Sequence, residues 1–342
     1  MGLVYFSSVA VKCLKHLSVV IKLSQMDQAI QILNQVLPIL ILISLGYWTR
    51  YHNFLGETTV EELRKIVVTL ALPAVLFISF LNVELKSAYF VIFGFTFSLC
   101  ILLFLLGTFI KRQLNIQYAY FPYLTTGFEY GMLGISLFGA AYGIDRIGYI
   151  AVADLGHEIF IWFVFLPLLL IKRDGVQNVK EVAKSFLSAP VVIAILAGIL
   201  FNILEMQALL YQWPITGALM TVFEFLGNLT VPLILIIVGY GIKINRAGWG
   251  DTLLIPIIRL GILIPLALIL NIYVIRGLLQ LAPLFETALF TLLILPPPFI
   301  IPLYTGSNLG IAEKQYINNV LTIHTIISVV VFIIYFVINP LI

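Results

Sequence analysis

The chain has 342 residues, of which 61% are apolar and 10% charged, and its formal net charge is +3. A soluble globular domain carries roughly 25% charged residues, so this composition excludes an ordinary soluble protein and indicates a surface that mostly faces lipid. The small net charge argues against a nucleic acid partner, and Cys13 and Cys100, the only cysteines, exclude a disulfide framework or a thiolate metal cluster.

Residues 1–28 are predicted to form an amphipathic N-terminal extension that lies on the membrane surface. Lys12, Lys15 and Lys22 interrupt each apolar run in this stretch, which therefore lacks the continuous apolar core of a secretory signal. The extension is not counted as a membrane span.

Apolar segments long enough to cross the hydrocarbon layer follow, since a crossing takes about 20 residues of helix. They are too uniformly apolar for the alternating strands of a membrane barrel, so helices are predicted throughout. Short charged loops separate the segments, and no linker marks a soluble domain. The ten segments cover residues 30–48, 62–82, 88–110, 117–141, 147–171, 187–206, 215–240, 251–275, 284–307 and 315–341.

The basic residues predict how the segments are oriented, because cytoplasmic loops are enriched in lysine and arginine. One end of the predicted bundle has few of them, namely Lys86, Arg146 and Arg276, besides those of the extension. The richer end should be cytoplasmic, which places both termini outside a cell membrane that the chain crosses several times. The richer end carries Arg50, Arg64, Lys65, Lys111, Arg112, Lys172, Arg173, Lys180, Lys184, Lys243, Arg246, Arg259 and Lys314.

Two internal matches predict a duplicated chain. "TLALP" at 69–73 matches "NLTVP" at 228–232, and "GISLFGAAYGI" at 134–144 resembles "IIPLYTGSNLGI" at 300–311, an alignment that pairs His157 with His324. Residues 29–171 and 172–342 would then be two five-helix repeats of opposite orientation, the plan of many secondary transporters. The fold class predicted is an all-α polytopic membrane protein with ten transmembrane helices.

The fourth and ninth segments are predicted to be broken. Several glycines, Gly131 and Gly134 among them, permit departures from helix in the fourth. Prolines, including Pro298 and Pro302, remove amide donors from the ninth. Freed backbone groups at membrane depth must line a cavity or be buried in protein, and paired breaks mark the substrate site of inverted-repeat carriers. The alternative is that they are only kinks and close-packing glycines.

Four segments, in this order and spacing, resemble the auxin efflux carrier family, which includes the plant PIN-type carriers and bacterial malonate or malate permeases. They are "TVEELRKIVVTLALPAVLFISF" at 59–80, "GMLGISLFGAAYG" at 131–143, "ADLGHEIF" at 153–160 and "LPPPFIIPLYTG" at 295–306. The resemblance covers about residues 29–342. It implies scaffold helices 1, 2, 6 and 7, which could join two chains in a homodimer, and a mobile transport unit of helices 3–5 and 8–10. It also implies an elevator-type permease for small organic anions.

The resemblance implies that the substrate lies beside the crossing of helices 4 and 9. The positions expected to contact the substrate are Glu129, Gly131, Gly134, Ser136, Pro298, Ile301 and Pro302. This sequence departs from the family at three of the positions near that crossing, where Glu129 and His157 replace asparagines and Ser136 replaces a proline. These departures put an ordinary dicarboxylate substrate in doubt.

Ionisable side chains inside a span mark a functional site by default. Asp154, His157 and Glu158 share one face of the fifth helix, and the repeat places His324 at the equivalent depth of the tenth. Together with Glu129 they are the predicted proton- or ion-coupling residues, with H+ or Na+ as the coupling ion and no other cofactor. The alternatives are that Asp154 lies near water and bonds a helix end, and that both histidines only donate to backbone carbonyls.

The function predicted is a permease for a small organic solute, a carboxylate by resemblance, and not an enzyme. A passive channel is the first alternative, although no ring of one residue type is evident to line its pore. An intramembrane metalloenzyme that uses Asp154, His157, Glu158 and His324 as ligands is the second, and its weakness is that "DLGHE" lacks the paired histidines of the "HExxH" motif.

Overall fold

The computed structural model describes residues 30, 34, 37–83, 86–174, 187–242, 249–305 and 309–340. Every regular element in these ranges is a helix. Six of the described helices are long and apolar enough to cross a membrane: Glu57–Asn82, Tyr89–Gln113, Ile144–Arg173, Pro214–Gly241, Gly250–Leu278 and Ile311–Ile338. The chain is therefore an all-helical polytopic membrane protein. The predicted N-terminal extension and Cys13 lie outside the described residues.

Helices occupy all of the predicted segments in the described part of the chain. They are α1 (37–51), α2 (Glu57–Asn82), α3 (Tyr89–Gln113), α4 (Phe121–Leu124), α5 (Tyr130–Tyr142), α6 (Ile144–Arg173), α7 (Pro190–Ile203), α8 (Gln207–Gln212), α9 (Pro214–Gly241), α10 (Gly250–Leu278), α11 (Pro283–Ile294), α12 (Ile300–Tyr304) and α13 (Ile311–Ile338). That ten segments cross the membrane as two inverted repeats stays a prediction.

Proline and glycine determine the local geometry of the long helices. In α2 a widened π turn, Val67–Ala71, precedes Pro73, whose missing amide cannot complete an ordinary turn. In α9 the matching Pro232 lies inside a continuous helix. The two prolines that the internal match superimposes therefore lie within helices in both halves of the chain.

The helices pack in two neighbourhoods. In the first, α2 packs against α7 and α9, and α1 lies against α9 so closely that a Cβ on Gly239 would lie 2.0 Å from the Ile43 carbonyl oxygen. In the second, α6 packs against α3 and α11, and α10 packs against α11 and α13. Here a Cβ on Gly156 would lie 2.1 Å from the Phe93 carbonyl oxygen. In both places only glycine allows the backbones to approach this closely.

One charge is not where the orientation argument placed it. Arg259 was assigned to a cytoplasmic loop, but it lies inside α10 with 1% of its surface exposed. A guanidinium can occupy this interior because backbone carbonyl oxygens accept hydrogen bonds from its N–H groups there. Arg259 therefore does not contribute to the positive end, whose remaining residues keep the predicted orientation unchanged.

Candidate functional site

Both predicted interruptions are present, and they touch. Between α4 and α5 the chain leaves the helix after Leu124 and resumes at Tyr130, and between α11 and α12 it leaves after Ile294 and resumes at Ile300. The Glu129 amide donates to the Pro296 carbonyl oxygen at 2.8 Å, which joins the two interruptions directly.

Gly127 permits the close approach. Its φ of +71° is a conformation that favours glycine, and a Cβ there would lie 2.8 Å from Pro298 Cγ. Three successive prolines, Pro296, Pro297 and Pro298, form most of the opposite interruption, and each lacks an amide donor. The glycine turn and the proline run therefore fit against each other where each helix is broken.

The Glu129 side chain caps one interrupted helix and binds the other. Its Oε1 accepts from the Met132 amide at 3.1 Å at the N-terminus of α5, and its Oε2 accepts from the Phe299 amide just before α12. The residue is 7% exposed. An acidic group is favoured at a helix N-terminus, where free amides and the helix dipole both attract negative charge. Glu129 therefore satisfies amides that the two breaks release.

Arg259 satisfies the carbonyl oxygens of the same interruptions. Its guanidinium donates to the carbonyl oxygens of Thr125 and Gly127, both at 2.7 Å, and to that of Leu295 at 3.0 Å. Its Cζ lies 5.3 Å from the centre of the Phe128 ring. One buried side chain thus donates hydrogen bonds to carbonyl groups from both breaks, which no apolar residue could do.

His157 binds the first interruption from α6. Its Nε2 accepts from the Phe128 amide at 2.9 Å, and its Nδ1 lies 2.7 Å from Asp154 Oδ1. Because Nε2 is an acceptor, the ring carries its proton on Nδ1 and is neutral, and that N–H donates to Asp154. Asp154 is 2% exposed, so its side chain is buried rather than in contact with water. In this structure His157 accepts from the backbone rather than donating to it.

Glu158 lies next to this pair. Its Oε1 accepts from the indole Nε1 of Trp162 at 2.8 Å. Ligand atoms of Asp154, His157 and Glu158 lie within 4.8 Å of one another, so the three could hold a metal ion by their chemistry and spacing. Both nitrogens of His157 are already engaged, however, and binding a metal would cost the ring one of these hydrogen bonds.

His324 does not join this group. It is fully buried in α13, and neither of its ring nitrogens has a hydrogen-bond partner among the described residues. Four of the five predicted coupling residues therefore line one cavity, and His324 is not among its lining residues.

A cavity of about 340 Å³ lies beside the crossing of the two interruptions. The predicted substrate and coupling residues that line it are Glu129, Gly131, Asp154, His157, Glu158 and Pro298. Gly134, Ser136 and Ile301 are not among its lining residues. Gly134 and Ser136 are buried in the packing of α5, where the Ser136 hydroxyl donates to the Met132 carbonyl oxygen.

Pro302 lines a second, smaller cavity of about 170 Å³. Arg64, Met132 and Phe299 line both cavities, and the Met132 and Phe299 amides are the two that donate to Glu129. The predicted substrate positions are thus divided between the two cavities and the packing that separates them.

Sequence reasoning missed Arg259, Arg64, Tyr130 and Trp162 at this site. The apolar run around Arg259, "LIPIIRLGILIP", carried the signal, because an arginine within such a run marks a functional position. Arg64 was counted only as a loop charge, and the two aromatic residues have no pattern that separates them from ordinary lipid-facing or core residues.

No family model matches the chain. Over 240 residues, 66% of this chain and 73% of the other, it is 26% identical to an "uncharacterized transporter" of Methanothermobacter thermautotrophicus. The resemblance to the auxin efflux carriers stays a prediction.

Proposed function

We propose that this chain is a secondary active transporter that moves a small organic solute across the cell membrane, with proton or cation coupling. The observation that carries the proposal is the contact between two interrupted helices, in which the Glu129 amide binds the Pro296 carbonyl oxygen. Interrupted, touching helices with a cavity beside them are the substrate site of inverted-repeat carriers.

The same reasoning supports ten membrane-spanning helices in two inverted repeats, residues 29–171 and 172–342. The interruptions occupy corresponding segments of the two halves. The packing of α2 with α7 and α9 supports a scaffold. Helices α3 and α11 pack against α6, and α10 and α13 pack against α11, which supports a separate transport unit. An elevator-type motion of the second unit against the first is the mechanism we propose. A homodimer would form through the scaffold.

The named relative supports the class of activity, since it is called a transporter and aligns with 66% of this chain. Coupling is proposed to involve Glu129 together with Asp154 and Glu158, whose carboxyl groups line one cavity. When Glu129 takes up a proton, it can no longer accept equally from both amides, so its protonation would alter the contact between the interruptions.

The experiment is solute flux into proteoliposomes under an imposed pH gradient, with Glu129→Gln and Glu224→Gln alongside the wild type. Glu224 is a glutamate on α9 that is exposed and does not line the cavity, which makes it the matched control. We expect gradient-driven accumulation of one solute by the wild type and Glu224→Gln, and loss of its pH dependence in Glu129→Gln.

An unchanged pH profile in Glu129→Gln would remove that residue from the coupling site. Conductance far above carrier turnover would favour the passive channel instead. Stoichiometric bound zinc, found by elemental analysis together with a hydrolytic activity, would favour the intramembrane metalloenzyme.

A further inference from the structure

We propose that the solute bound in the 340 Å³ cavity is an organic cation with an apolar body, an alkyl or aryl ammonium ion, rather than a carboxylate. This inference rests on the proposed function, because it names the substrate class of the same site.

The acidic groups of the cavity form no ion pair with a lysine or arginine of the described chain. Glu129, Asp154 and Glu158 line it, and each accepts hydrogen bonds, from two amides, from the His157 ring and from the Trp162 indole respectively. Among the described residues, no lysine or arginine forms an ion pair with any of the three. Buried charges in proteins are paired or bind metal ions, so a cation from outside the chain would complete the site.

The cations nearby are outnumbered by the carboxyl groups. Arg64 lines the cavity, where its Nη1 donates to Glu61 at 2.9 Å and its Nε has no partner among the described residues. Arg259 does not line the cavity, and it donates to three carbonyl oxygens of the interruptions. His157 is neutral, since its Nε2 accepts from a backbone amide. A bound carboxylate would therefore meet three carboxyl groups and a single arginine, already paired with Glu61, in the described part of the site, and like charges at close range repel.

The rest of the lining suits an organic body. Aromatic side chains surround the cavity, and aromatic faces attract ammonium groups while excluding water. The Tyr130 hydroxyl is buried and has no hydrogen-bond partner among the described residues, so it is free to accept from an ammonium N–H. A bare metal ion would fill little of 340 Å³. The aromatic lining residues are Phe128, Tyr130, Trp162, Phe299 and Tyr304.

Binding to the purified, full-length protein tests the class directly. The probes are benzyltrimethylammonium and 2-phenylethylamine, the phenyl carboxylate 3-phenylpropionate, and Na+ and Mn2+ as inorganic cations. Each is titrated by thermal stabilisation and by isothermal calorimetry. We expect an ammonium probe to bind, and Glu158→Gln to weaken its affinity by at least about tenfold while Glu224→Gln leaves it unchanged.

A second variant keeps the test decisive if Glu158→Gln does not fold. Trp162→Leu removes one aromatic side chain of the lining and the indole N–H that donates to Glu158. It should weaken the binding of the ammonium probes more than the binding of any inorganic cation. Size-exclusion profiles of both variants establish that they are folded. Binding of 3-phenylpropionate without either ammonium probe would overturn the proposal. So would binding of inorganic cations alone, an ammonium affinity equal in Glu158→Gln, or no binding by any probe.

Flux separates this inference from the proposed function. Uptake of the permanently charged benzyltrimethylammonium is measured in proteoliposomes with an acid interior and a clamped membrane potential, with protein-free liposomes subtracted. Uptake of 3-phenylpropionate instead, driven by an acid exterior because a carboxylate enters together with its proton, would leave the transporter standing and overturn the substrate class. Ammonium binding without transport of any solute would support the ligand class that we propose and overturn the proposal that the chain is a transporter.

Discussion

Arg259 on α10 donates a hydrogen bond of 2.7 Å to the carbonyl oxygen of Gly127, which lies in the interruption between α4 and α5. The same guanidinium reaches the Leu295 carbonyl oxygen in the other interruption. One side chain therefore holds together backbone from both halves of the chain, at the place where each half leaves its helix.

Replacing Arg259 should destabilise the crossing. Arg259→Gln would leave buried carbonyl oxygens without donors, at a cost of about 2–5 kcal/mol in the free energy of unfolding. Arg259→Lys should cost less but still lose transport, because one ammonium cannot reproduce the planar fork of a guanidinium. Thermal unfolding in detergent and proteoliposome flux are the measurements.

Arg276→Lys is the matched control for Arg259, since Arg276 lies on the same helix with 69% of its side chain exposed and a lysine keeps a cation beside Glu286. It should leave both stability and flux near wild type. Equal effects of the two substitutions would show that Arg259 has no special role in the crossing.

His157 should stabilise the first interruption through the hydrogen bond that its Nε2 accepts from the Phe128 amide. His157→Leu leaves the Phe128 amide without a partner and should cost about 1–3 kcal/mol of stability. His157→Gln can present an oxygen near the position of Nε2 and should recover much of that loss. We expect the free energy of unfolding to be highest in the wild type, lower in His157→Gln and lowest in His157→Leu.

The pH profile of flux in these variants separates positioning from proton transfer. If His157 only positions the interruption, His157→Gln keeps the pH dependence of the wild type. Loss of pH dependence in a stable His157→Gln protein would instead make the ring itself a carrier of the proton.

Gly156 should tolerate no side chain. Gly156→Val would place Cβ 2.1 Å from the Phe93 carbonyl oxygen, and α3 and α6 would have to separate. Overpacking of this kind costs about 3 kcal/mol. Gly94→Ala on the facing helix is the control, because a Cβ there meets no atom within 4 Å. An equal decrease in the unfolding temperature of both variants would contradict the packing argument.

The two prolines of the ninth segment should behave differently. Pro298 contacts the Gly127 turn, so Pro298→Ala should weaken substrate affinity by loosening the contact between the interruptions. Pro302 is exposed on α12 and lines only the smaller cavity, so Pro302→Ala should have the weaker effect on affinity. Binding titrations of both variants provide the comparison, and a larger loss in Pro302→Ala would assign the substrate to the smaller cavity.

The sequence by itself determined the membrane class, the helical segments and the two interruptions. Each of these depends on local chemistry, since apolar length predicts a span and the Pro296–Pro298 run cannot continue a helix. The sequence also indicated Glu129, Asp154, His157 and Glu158, because a charge inside an apolar run is costly wherever the run folds.

Only the tertiary structure decided what these residues touch. The binding of His157 to the Phe128 amide and the position of Arg259 between both interruptions depend on backbone groups distant in the sequence. An arginine among apolar residues is compatible with a loop, a lipid boundary or an interior site. The carbonyl oxygens that make the interior favourable for Arg259 come together only when the two halves of the chain pack.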